Sequence, residues 1–121
     1  MNLALIFRIS SAIYFINGLL LIFFTSTFLE MATFQITPNI ITLGQVFGVA
    51  ALSIGIIAFR TPDLAGGNLR EYGQIYSIIS FLFVIIIGYH IFTGQASGPT
   101  AIGNIALSII QGVLFFIFSK N

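Results

Sequence analysis

The chain has 121 residues, 58% of them hydrophobic and 6% charged, with a formal net charge of +1 and a mean hydropathy of +1.10. A soluble domain of this length needs more charge than that on its surface, so the composition places nearly the whole chain in or at a bilayer. Cysteine is absent, which excludes thiolate catalysis, disulfide exchange and cysteine metal sites. The small net charge argues against a nucleic-acid partner.

A hydrocarbon core about 30 Å thick needs roughly 20 apolar residues per helix. Four such stretches follow one another, at residues 3–24, 40–59, 72–92 and 101–118. They predict an all-α fold, a four-helix transmembrane bundle forming one domain over residues 1–121. The apolar run of the first span exceeds the roughly 7–15 residues of a signal-peptide core, and the "TSTF" after it lacks an A-x-A pattern. That segment is therefore expected to stay as a span. Ser10, Tyr14 and Asn17 share one of its faces. Arg8, a turn or two inside, can snorkel to the headgroups or pair with Asp63 or Glu71.

In "TSTFLEMATFQITPN", Thr27 and Glu30 have capping-box spacing, and Phe28, Leu29, Ala32 and Ile36 fall on one apolar side. This predicts a short amphipathic helix lying on the outer surface, in the interface. Thr37 then caps the second span, with Pro38 in its first turn. Along that span Gly44, Gly48, Ala51, Gly55 and Ala58 form a small-residue stripe that begins as GxxxG, and Gln45 lies a few residues inside the outer surface. The link "FRTPDLAGGNLREYG" repeats the cap pattern at Thr61 and Pro62 and turns at Gly66, Gly67 and Asn68.

The third span has its own stripe at Gly73, Ser77, Ser80 and Gly88. Small stripes let backbones approach closely, so the second and third spans are expected to pack on each other. Tyr72 and Tyr76 at one end and Tyr89 and His90 at the other read as an interfacial belt, with His90 turned from the stripe toward headgroups or a partner. After a charge-free turn, the fourth span carries Asn104, Ser108 and Gln111 at i, i+4 and i+7. Amides facing lipid are costly, so this face should turn inward. Asn17 and Gln111 both fall near mid-bilayer and are expected to bond to each other, with Gln45 and Asn104 as a second layer.

Arg8, Arg60, Arg70 and Lys120 share one side of a four-span chain, which puts both termini in the cytoplasm. The expected location is a prokaryotic inner membrane. The three carboxylates, Glu30, Asp63 and Glu71, lie outside the spans, so the intramembrane acid of a proton-coupled transporter is missing. With one histidine, no metal cluster and no nucleophile with its base, neither catalysis nor a cofactor is expected.

Two readings of function follow. In the first the amides hold the bundle together, and the protein is an accessory or structural subunit whose partners are membrane lipids and another membrane protein or a second copy of itself. In the alternative, Tyr14, Asn17, Gln45, Asn104 and Gln111 line a pocket for a small neutral molecule or a lipid or quinone headgroup.

The segments "FRISSAIYFINGLL", "FQITPN" and "LGQVFGVAALSIGIIAFR" join a basic residue before a glycine-containing first helix, a proline-bearing link, and a glycine-rich second helix closed by arginine. In this the chain resembles small bacterial four-span membrane proteins of the DoxX-like and domain-of-unknown-function kind. The resemblance implies a four-helix membrane fold and carries over no site residue.

Overall fold

The computed structural model describes residues 1–120. Helix α1 runs over Leu3–Phe23, and the side chain of Asn2 caps it by accepting from the Leu5 N–H. At Phe24 the backbone leaves helical geometry, and a six-residue helix, α2, follows at Thr25–Glu30. Helix α3 spans Pro38–Leu64. A 3-10 turn at Gly66–Asn68 leads into α4, Leu69–Phe92, and a tight turn leads into α5, Gly98–Phe118. All four long helices are apolar and long enough to cross a membrane, the make-up of a multi-pass membrane protein.

Thr37 caps α3 by accepting from the Ile40 N–H at 3.2 Å, with Pro38 in the first turn as expected. Two expected caps are absent. Thr27 lies within α2 and Glu30 ends it, so they form no capping box; Thr25 instead donates its hydroxyl to the Leu21 carbonyl left open where α1 stops. Thr61 and Pro62 do not start a helix either. They lie inside the last turns of α3, where Thr61 bonds back to the Ile57 carbonyl at 2.6 Å and the helix continues to Leu64. Pro62 has no N–H to offer the Ala58 carbonyl, so this last stretch of α3 forgoes one helical bond.

The helices associate in two pairs. α1 packs along α3 and α4 along α5, while contacts between the pairs are sparse. The expected packing of the second span on the third is thus not what the fold adopts, because the stripe on α3 meets a single glycine on α1, Gly18, that belongs to no stripe. A Cβ on Gly18 would lie 2.8 Å from the Gly48 carbonyl oxygen, and one on Gly48 would lie 2.9 Å from that of Gly18. Two backbones cross there with no side chain between them, as GxxxG-type packing requires. Gly44 meets Thr25, and Gly55 lies on α1 near Ser11 and Tyr14.

Each pair also has a buried serine bonded to a glycine carbonyl on the opposite helix. Ser11 donates to Gly55 at 2.9 Å and Ser77 to Gly112 at 3.0 Å. On α4, Gly73 sits against Ser119 and Leu3, and Gly88 faces Ile105; Ser80, also buried, bonds back to Tyr76 of its own helix.

The pairs are joined firmly at one end, where residues 3–7, 58, 69–76 and 115–119 meet. Phe7 and Phe115 are fully buried and stack edge-on at 4.8 Å, and Tyr76 meets Phe7 edge-on at 5.0 Å. Tyr76 is 5% exposed. It belongs to this core and not to an interfacial belt, because it lies a full turn deeper than Tyr72, which is on the outer surface of the bundle. Arg8 bridges the same end, pairing with Asp63 at 2.9 Å with its guanidinium 4.2 Å from the centre of the Phe59 ring.

Candidate functional site: a cavity between the helix pairs

Away from the aromatic core the pairs diverge, and α2 with residues 93–97 closes over the gap. The roof is tied to main-chain carbonyls: the Ser97 N–H donates to that of Ala32 at 3.1 Å and the Thr100 hydroxyl to that of Phe28 at 2.8 Å. Gly98, at φ +81°, passes so near Met31 that an added Cβ would lie 2.4 Å from its carbonyl oxygen. Only glycine combines that conformation with that approach.

Beneath the roof lies a central cavity of about 480 Å³, bounded by all four long helices and by Phe28. Its walls are mostly Phe, Ile, Leu and Ala, with the polar groups of Tyr14, Asn17, His90, Asn104, Ser108 and Gln111 set among them. A second chamber of about 310 Å³ opens between α3 and α4, and a third of about 470 Å³ between α1 and α5. Phe28 and Asn104 line all three. The gap is therefore a transverse slot: aromatic core below, α2 above, a chamber at either side, and Asn104 at the crossing.

The polar groups differ in how far the protein satisfies them. Gln111, 6% exposed, accepts from the Ser10 hydroxyl at 2.5 Å and donates to the Leu107 carbonyl. Asn17 donates to the Ile13 carbonyl of its own turn at 3.0 Å. The expected bond between Asn17 and Gln111 is thus not formed: Ser10, on the same face of α1 and nearer the tight end, takes Gln111 instead. Both amides nevertheless border the slot. Gln45 borders none of the three chambers. It is on the outer side of α3, reaching the Ile22 carbonyl at 3.5 Å, so it forms no second layer with Asn104.

Tyr14, His90, Asn104 and Ser108 line the slot and make no side-chain hydrogen bond to any described residue. Leaving such a group unpaired in hydrocarbon costs several kcal/mol. Four groups of this kind lining one cavity, donors and acceptors both, can hold an uncharged polar molecule. No Asp, Glu, Lys or Arg lines any of the chambers, and among the described residues no group of His, Cys, Asp and Glu could hold a metal ion.

His90 departs from the sequence expectation. It lies in the last turn of α4, at the end of the span, but also lines the slot, because the stripe of α4 packs on α5 and the adjacent face of α4 therefore borders the gap. Its neighbour Tyr89, 56% exposed, stays outside. Ala51, assigned to packing, borders the central cavity. Phe28 and Thr100, which shape the roof, carried no sequence signal beyond apolarity and turn composition. No family model, curated protein or solved structure matches the chain.

Proposed function

We propose that this protein binds an uncharged amphipathic molecule dissolved in the membrane, holding its polar head at Asn104 and the surrounding Tyr14, Asn17, His90 and Ser108. The observation that carries this reading is that Tyr14, His90, Asn104 and Ser108 line an apolar slot without a side-chain hydrogen bond to any described residue. If the amides served only to hold the bundle together, they would be bonded across helices, as Ser10 and Gln111 are. A slot open at both sides also suits a ligand arriving from the bilayer rather than from water.

In this reading both termini are cytoplasmic, since Arg8, Arg60, Arg70 and Lys120 gather at the tightly packed end. The slot then lies in the outer half of the membrane, with α2 at the outer interface. The protein works by binding, without catalysis or a resident cofactor.

The test is native mass spectrometry of protein purified in mild detergent, with lipid extraction alongside. A neutral amphiphile bound to the unsubstituted protein and lost from Asn104→Leu supports the proposal. Protein free of any bound small molecule, but joined to a second membrane protein in fixed ratio, would instead favour the accessory-subunit reading.

A further inference from the structure

Resting on the binding reading above, we infer that the ligand is an uncharged lipid with a polar centre and two apolar arms, of the diacylglycerol chemical class. Its hydroxyl and ester groups lie at Asn104, and one arm leaves through each side of the slot. The two side chambers occupy opposite edges of the gap, one between α3 and α4 and the other between α1 and α5. Both reach the same crossing at Asn104, Phe28 and Thr100. A single-chain amphiphile with its head there fills one chamber; a lipid branching at its polar centre fills both.

The head follows from the chemistry of the crossing. An amide, hydroxyls and an imidazole donate to ester carbonyls and accept from a hydroxyl. A phosphate there would be a charge buried without a counter-charge, which is strongly unfavourable. Arg8 is at the opposite end of the bundle, paired with Asp63. The arms would run along hydrocarbon, past Leu43 and Phe47 on one side and Ile16 and Leu20 on the other.

The experiment uses the full chain in phosphatidylcholine nanodiscs and a diacylglycerol with a photoactivatable diazirine in each acyl chain, the adducts being mapped by peptide mass spectrometry. Adducts are expected on both sides, around Leu43, Phe47 and Ile87 and around Ile16, Leu20 and Leu107. Adducts confined to one side overturn the two-armed ligand. Phosphatidic acid with the same chains should compete at least about tenfold less well, a difference of about 1.4 kcal/mol; equal competition overturns the uncharged head.

Gly103→Phe gives an independent check. Gly103 borders the α1 and α5 chamber, and nothing lies within 4 Å of where its Cβ would be, so a side chain can start there without meeting a neighbour. It should weaken diacylglycerol binding about tenfold and leave a monoacylglycerol probe, which has the other chamber, within about twofold. Unchanged diacylglycerol binding in that variant overturns the inference. Labelling of the unsubstituted protein by the single-chain probe alone overturns the two-armed ligand but not the binding site; labelling by neither overturns both.

Discussion

The two ends of the bundle solve the same problem differently. At the end where the termini meet, the helix pairs close on Phe7, Tyr76 and Phe115, and the polar groups there are satisfied by the protein, as in Arg8 with Asp63. At the other end the pairs are held apart, their common contact is a roof of main-chain bonds, and polar side chains face a slot. Lipid exerts no hydrophobic force between helices, so association depends on close packing and hydrogen bonds. Where close packing is complete no space is left, and where it is relaxed there is room for another molecule.

Mutations can break this contrast from either side. The largest effect is expected from Phe7→Ala, which removes the centre of the aromatic core and should cost about 3 kcal/mol or more. It is read as a lower midpoint in detergent-induced unfolding. Gly48→Leu forces α1 and α3 apart where their backbones cross and should cost about 2 kcal/mol by the same measurement, with no side-chain rearrangement able to relieve it.

Asn104→Leu should do the reverse of both. It leaves the unfolding midpoint within the roughly 0.6 kcal/mol of an average interhelical hydrogen bond, while binding of a neutral amphiphile is lost. A stability loss as large as that of Phe7→Ala would mean that Asn104 supports the fold, and the contrast between the ends would fail. The smallest effect is expected from Arg8→Gln, about 0.5 kcal/mol, because its ion pair with Asp63 is partly exposed and screened. Titrating salt against the unfolding midpoint of the unsubstituted chain checks that figure.

Much of the fold could be read from the residues in order. The four spans follow from apolar length, the start of α3 from Thr37 and Pro38, and the inward faces of α1 and α5 from the spacing of Ser10, Tyr14 and Asn17 and of Asn104, Ser108 and Gln111. The pairing of helices was not legible. A stripe of small residues says that a backbone comes close but not which one, and the partner of Gly48 is Gly18, alone among large side chains in "YFINGLLL". The site was legible in composition but not in arrangement. Four of the five residues expected to line it do so, whereas Gln45 is a turn away on the outer side of its helix. His90 joined them because the gap between the pairs, and not the small-residue stripe, decides which face of α4 borders the slot.

The tie between α2 and the start of α5 is made largely of main-chain atoms: the carbonyls of Phe28, Met31 and Ala32 receive the hydroxyl and N–H of Thr100 and the N–H of Ser97. Such a joint depends on few side chains, chiefly the Thr100 hydroxyl. In a saturation library selected for a folded protein, Met31, Ser97 and Pro99 should accept a wide range of residues, while Gly98 between them accepts none. The roof of the slot would thus leave a trace of a few constrained positions, Gly98, Thr100 and the small buried Ala96 and Ala101, among tolerant neighbours, and its shape could persist through sequence change that erased most other signs of it.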